Sequence, residues 1–340
     1  MRHLFTSVFG AACTALVSTP LSAQSDDLGV IRYQVYSSTA EILMRVADEH
    51  FCADHGLECE PVFVPSSSQG LQAVLGESLD VAYLGTDFGV RAASNGSGVK
   101  IISGASDRLN LQLVKRSEVD WPTAEAGYPE MMKDFAGKTV GVSGRGASTE
   151  IAFGMLMRDA GVELDDVTII GVGGPATALG ALRASQVDAV MLFQPLPAIC
   201  DFSDVCETSI DLTKDDRPEV VKQFDGAATT IWAAASALEE RQEAYKAYNA
   251  ALNDAAAWLT DPANEEAAVE MANGYIELNM DNAAEIVRDG VLEQIANTNT
   301  VLEGEGVAAF VELLNEREML GDEDVNPDNL IWEHAPTTAK

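Results

Sequence analysis

The sequence predicts an α/β protein made of two copies of one small unit, and three observations carry that reading. Residues 73–84, AVLGESLDVAYL, and residues 181–195, ALRASQVDAVMLFQP, share a pattern 108 positions apart, with Asp80 falling on Asp188, Leu79 on Val187 and Leu84 on Leu192. A spacing that long marks a duplicated module and not a short-period solenoid. Short apolar runs also alternate with helical stretches, which indicates βαβ units and a parallel sheet. Finally, the last strand of each copy is apolar almost throughout, as expected of a strand covered on both faces.

The elements follow in order. Val30–Val35 (VIRYQV) reads as a strand, and Ser37, Ser38 and Thr39 offer caps for a helix over Ala40–Cys52 that Gly56 ends. Glu60–Val64 is the second strand, Leu71–Leu75 a short helix and Asp80–Leu84 the third strand, after which Gly85-Thr86-Asp87 opens another helix. The second copy begins with the strand Lys138–Ser143 and the turn Gly144-Arg145-Gly146, and Ser148-Thr149 cap a helix over Glu150–Asp159. Val167–Gly171, a helix opened by Pro175 over Ala176–Ala184, and the strand Val187–Phe193 complete it. Gly226–Trp232 reads as a returning strand. Beyond it the pattern is helical: Ser236 to about Leu259, a helix started by Asp261-Pro262, then Asn282–Ala296 and Gly306–Leu320, with a loose tail after Trp332.

Composition narrows the function. The chain has 340 residues, 47% of them hydrophobic, which is enough for two packed domains and excludes wholesale disorder. A net charge of −33, from 54 acidic against 21 basic residues, repels nucleic acid and anionic membranes. An anionic ligand would therefore have to be caught by a local positive feature. Residues 1–23 carry Arg2, an apolar run from about Val8 to Val17, and Leu21-Ser22-Ala23, the pattern of a secretory signal cut after Ala23. Four cysteines then remain in two close pairs, Cys52 with Cys59 and Cys200 with Cys206. An even count in an exported chain favours disulfides over metal ligation; three connectivities are possible, and local pairing is expected. His50, His55 and His334 form no zinc set with them and stand beside no nucleophile signature, so neither metal, cofactor nor catalysis is expected. Gly171-Val-Gly-Gly-Pro-Ala176, with Asp188 17 residues on, approaches a dinucleotide fingerprint. Pro175 interrupts it, and Asp188 starts a strand where the fingerprint acid ends one.

The run DFAGKTVGVSGRGASTEIAFGMLMRDAGVELDDVTIIGVGGPATALGALRASQVDAVMLFQPLPA resembles the second lobe of solute-binding proteins of ABC importers. It is most similar to the branch that includes nitrate, taurine, alkanesulfonate and thiamine-pyrimidine receptors. AVLGESLDVAYLGTD matches that branch's first lobe, and TIWAAASALEERQEAYKAYNAALNDAAAWL its return crossing and first C-terminal helix. The resemblance implies the type II periplasmic binding protein fold: two α/β lobes, each a parallel-type sheet with flanking helices, joined by two hinge crossings. Residues 29–107 with 230–330 would form lobe 1 and residues 108–229 lobe 2, with the crossings near Asp107–Leu113 and Ala227–Trp232. It also implies a monomer in the periplasm, a small-molecule ligand in the cleft and an inner-membrane permease as partner.

The foremost candidate site is Gly144–Thr149, where glycines let the backbone approach and a helix start supplies unpaired N–H groups for an anion. Gly146, Ala147, Ser148 and Thr149 supply that backbone. Arg145 adds a charge-assisted contact or is a surface arginine on a capped turn. Tyr36, Ser37 and Ser38 occupy the matching turn of the first copy, and Gly85 and Thr86 follow its third strand. Gln194 lies in the turn after the last strand of the second copy. Arg108 is either a hinge salt-bridge partner or a second anion contact. Trp232 is an aromatic wall of the cleft or a core residue. A small organic anion, sulfonate or carboxylate, is the expected ligand, and a neutral heteroaromatic such as a thiamine pyrimidine is the alternative.

Overall fold

The computed structural model describes residues 27–64, 66–322 and 325–338; the expected signal segment and its cut after Ala23 lie outside the described residues. Ten strands are formed among them: β1 (Val30–Val35), β2 (Glu58–Phe63), β3 (Ala82–Gly85), β4 (Val99–Ser106), β5 (Gln112–Arg116), β6 (Thr139–Val142), β7 (Thr168–Gly171), β8 (Ala189–Leu192), β9 (Cys206–Asp211) and β10 (Thr229–Ala234). In the first lobe β2 and β1 run parallel, a parallel bridge from Tyr33 to Val81 joins them to β3, and β10 and β4 follow. The second lobe is a five-stranded sheet in the order β7-β6-β8-β5-β9.

Both lobes thus have one order: second strand, first, third, a strand delivered by the other half of the chain, and a last strand. The delivered strands, β10 and β5, are antiparallel to both their neighbours. The chain leaves the first sheet after Ser106, enters the second at Gln112, and returns from Asp211 to Thr229. Sequence patterning misses β4, β5 and β9. Val99–Ser106 (VKIISGAS) ends in small residues and Gln112–Arg116 (QLVKR) is polar at both ends, so neither shows a clean alternation.

The repeat has a physical explanation. Asp80 Oδ2 accepts the backbone N–H of Arg32 at 2.8 Å, and the Asp80 N–H donates to the Arg32 carbonyl at 2.9 Å. Asp188 does the same to Thr139, accepting its N–H at 2.9 Å and donating to its carbonyl at 2.8 Å. Each aspartate clips the approach to the third strand onto the first strand of its own unit. That role also disposes of the dinucleotide reading of Asp188, whose carboxylate is committed to a strand start.

Three expectations need correction. The helix expected from Ser236 to Leu259 is two, Ala235–Glu240 and Gln242–Thr260. Arg241 breaks them, its guanidinium donating to Asp80 Oδ1 at 2.7 Å and to the Val30 carbonyl at 2.5 Å. The tail after Trp332 is not loose: Leu302 donates to the Pro336 carbonyl at 2.8 Å and Thr338 to the Leu302 carbonyl at 3.0 Å. Ser148 and Thr149 are not caps, because the helix Ser148–Asp159 starts two residues earlier than expected and its N-cap is Ala147, with no side-chain cap bond. Both disulfides are local, Cys52–Cys59 and Cys200–Cys206, each tying the end of a helical stretch to the strand that follows.

Candidate functional site

A cavity of about 550 Å³ opens where the two sheets face one another. Its wall is built from loops at the C-terminal ends of parallel strands, the place where open α/β sheets take ligands. Tyr36 follows β1, Gly85 ends β3, Ser143–Thr149 follow β6, Gly173 and Gly174 follow β7, and Phe193 follows β8. Leu109, Asn110 and Leu111 come from the first crossing, and Ala228 and Thr229 from the second.

Of the residues nominated from sequence, Tyr36, Ser38, Gly85, Arg145, Gly146, Ala147, Ser148 and Thr149 line the cavity together. The Tyr36 hydroxyl donates to the Tyr83 carbonyl at 2.7 Å, and burial pushes its pKa up, so it stays neutral. Ser38 caps the helical turn Thr39–Glu41 in a reciprocal box with Glu41. The turn after β6 is shaped by Gly146 at φ +72°, a conformation that favours glycine. Thr149 Oγ1 accepts the Ser143 N–H at 3.0 Å. Glu150 and Ile151 both donate to the Ala147 carbonyl, which leaves the N–H groups of Ser148 and Thr149 without a partner among the described residues. Arg145 is 62% exposed, pairs with Glu150 at 3.1 Å and donates to the Ile169 carbonyl at 3.1 Å.

Five nominated residues do not line the cavity. Ser37 is exposed beside it, at φ +58°. Thr86 is fully buried, its hydroxyl donating to the Ala227 carbonyl at 2.5 Å. Arg108 donates to the Thr213 carbonyl at 2.7 Å and pairs with Asp215 at 2.8 Å. Gln194 donates to Glu293 at 2.9 Å and accepts the Ala198 N–H at 3.2 Å. Trp232 is core: it is fully buried, and a Cβ at Gly89 would overlap its ring.

Sequence reasoning missed Arg91, which lines the cavity and donates across it to the Gly146 carbonyl at 2.6 Å. It stands one turn after Asp87 in the helix Thr86–Ser94, 3.6 Å from that carboxylate, a spacing that puts both on one face. Burial holds the Asp87 carboxyl above the usual carboxylate range, against the pull of Arg91 and the Ser148 hydroxyl. Ser66–Gln69, after β2, were missed as well, although they are the first-lobe counterpart of Gly173-Gly174 after β7. The repeat was the signal that could have located Ser66–Gln69. Phe88, Leu71, Leu109, Leu111 and Phe193 add apolar surface to the wall, beside the polar Asn95, Asn110 and Thr229.

This arrangement can hold a molecule by backbone amides, guanidinium groups and apolar contact. Among the described residues there is no cluster of His, Cys, Asp or Glu suited to a metal ion, and no helix long and apolar enough to cross a membrane. Residues 27–273 match the model of the NMT1-like family. The chain belongs to that family. As an NMT1-like protein it shares its fold with solved structures of low sequence identity. The alkanesulfonate-binding protein SsuA from Xanthomonas axonopodis pv. citri, bound to MOPS, is 15% identical at a TM-score of 0.71, over 90% of this chain and 99% of that one. The periplasmic nitrate-binding protein NrtA from Synechocystis PCC 6803 is 13% identical at 0.71, over 90% and 86%. A protein of Bordetella bronchiseptica RB50 is 18% identical at 0.72, over 91% and 94%. No curated protein matches the chain in sequence.

Proposed function

We propose that this NMT1-like protein is the periplasmic substrate-binding component of an ABC importer, exported with its leader removed near Ala23. It captures a small organic anion, a sulfonate or carboxylate, between a lobe of residues 29–107 with 230–330 and a lobe of residues 108–229. It then delivers that ligand, chemically unchanged, to an inner-membrane permease. One observation carries the reading. In a chain of net charge −33, the charged side chains that line the cavity are Arg91 and Arg145, with no carboxylate among the lining residues. Beside them lie the free N–H groups at the start of the helix Ser148–Asp159, where the helix dipole favours negative charge. The apolar walls and a volume of about 550 Å³ fit an anion that carries an organic body. That related folds bind MOPS and nitrate supports the same class.

A neutral heteroaromatic such as a thiamine pyrimidine is the second reading, favoured by the aromatic residues Tyr36, Tyr83, Phe88 and Phe193 in the wall. A melting-temperature screen of alkanesulfonates, carboxylates, nitrate and pyrimidines separates the two. A ligand at a hundred times its Kd adds about 2.7 kcal/mol of stability. A shift by pyrimidines with failure of every anion contradicts the anion assignment. For an anion that binds, Arg145→Ala is expected to weaken affinity by about 1 kcal/mol, roughly fivefold in Kd, because this exposed guanidinium is screened by water and already shared with Glu150. An unchanged Kd in calorimetry would assign Arg145 to the surface.

A further inference from the structure

Where the two crossings pass the cavity, its wall is polar but uncharged. Tyr83 on β3, Asn110 on the first crossing and Thr229 at the start of β10 come together there, and all three line the cavity. Tyr83 is 6% exposed, and its ring stands edge-on to that of Tyr36. Its hydroxyl accepts Asn110 Nδ2 at 3.4 Å, and the side chains of Thr229 and Gln294 stand beside the same oxygen as further donors. Gln294 is 4% exposed, and its Nε2 has no hydrogen-bond partner among the described residues. Burial pushes the Tyr83 pKa up, so the phenol keeps its proton. An oxygen surrounded by donors must send that proton elsewhere, and no described residue accepts it. A buried donor left without an acceptor is costly and calls for an explanation.

We propose that the ligand is two-ended: its anionic group sits at the Ser148–Thr149 helix start, and its far end carries an uncharged oxygen acceptor, a hydroxyl or a carbonyl, that takes the Tyr83 proton. The proposal rests on the anion reading of that turn and deepens it by naming the other half of the molecule. A second carboxylate does not suit the far end. The charged lining residues are Arg91 and Arg145, and both are engaged at the turn, Arg91 with the Gly146 carbonyl and Arg145 with Glu150. The Tyr83 end therefore offers neutral donors alone, and a carboxylate buried without a cation is strongly disfavoured. A plain alkyl end fits no better, because it leaves the phenol unpaired. A site built to hydrogen-bond a polar group rejects the analogue that lacks it.

The experiment is calorimetry of the protein with two series of sulfonates matched in size. Propane-, butane- and pentanesulfonate are set against hydroxyethane-, hydroxypropane- and hydroxybutanesulfonate, each with its hydroxyl at the chain end, so that chain length scans the span between the two ends. The expected result is one length at which the hydroxyl member binds about tenfold tighter than its alkyl match. Tyr83→Phe is expected to abolish that preference and Asn110→Ala to reduce it. The wild-type comparison decides the matter even if a variant does not fold. Alkyl members that bind as well as their matches at every length would overturn the proposal, assigning the Tyr83 proton to water while leaving the anion reading intact. A Tyr83→Phe variant that weakens both series by one factor and keeps the preference would also overturn it. If no member of either series binds, the anion reading fails and this proposal fails with it.

Discussion

Asp80→Ala is expected to lower folding stability by about 3 kcal/mol, read as a shift of the denaturant midpoint at constant slope. The Asp80 side chain is only 6% exposed and gathers four donors: the Arg32 N–H at 2.8 Å, Arg32 Nε at 2.9 Å, Arg32 Nη2 at 3.3 Å and Arg241 Nη1 at 2.7 Å. Its loss frees the clip between β1 and the entry to β3 and leaves two guanidinium groups without their carboxylate. Both arginines are about a third exposed, so water takes up part of the loss, which keeps the figure at the low end for a broken buried pair. Asp188, the counterpart in the second repeat, is 29% exposed with Arg116 no closer than 3.9 Å. Asp188→Ala is therefore expected to cost about 1 kcal/mol, the price of one backbone hydrogen bond. Equal losses at the two positions would contradict this account of the repeat.

Trp232→Ala is expected to cost about 3–5 kcal/mol, the range for emptying a large aromatic site in a packed core. The indole is fully buried against Gly89, and its N–H donates to Thr230 Oγ1 at 2.7 Å. Trp232→Phe keeps most of the volume and is expected to lose less stability while leaving ligand affinity unchanged. A Trp232→Phe variant that folds as the wild type but binds its ligand more weakly would return Trp232 to the cleft wall. The same contrast shows why sequence reasoning nominated it: an aromatic residue near the second crossing looks alike whether it faces the cleft or the helix Thr86–Ser94 behind it. Gly89, which admits the ring, carries no such signal in the sequence.

What was legible followed from local chemistry. The βαβ order, the pairing of Asp80 with Asp188, the turn at Gly144–Thr149 and the close cysteine pairs all depend on residues near one another in the chain. Of the exchanged strands, β10 was legible as an apolar run after Gly226, whereas β5 has neither length nor alternation to announce it. The site divides in the same way. Backbone-built positions such as Gly85, Gly146 and Ser148 were found because strand ends and helix starts are legible. The partners of side chains distant in sequence were not: Gln194 turns to Glu293, and Arg108 turns to Thr213 and Asp215. Arg91 was overlooked because its partner is a carbonyl on the opposite lobe, which no spacing rule reports.

The central claim is that an organic anion is seated on backbone amides between the lobes. Its most direct test is a crystal structure of the protein grown with the sulfonate or carboxylate that most raises its melting temperature. The account predicts the anionic group within about 2.7–3.2 Å of the Ser148 and Thr149 N–H groups, and the organic body against Phe88 and Phe193. A ligand whose charged group faces bulk water, or one bound outside this cleft, would contradict it.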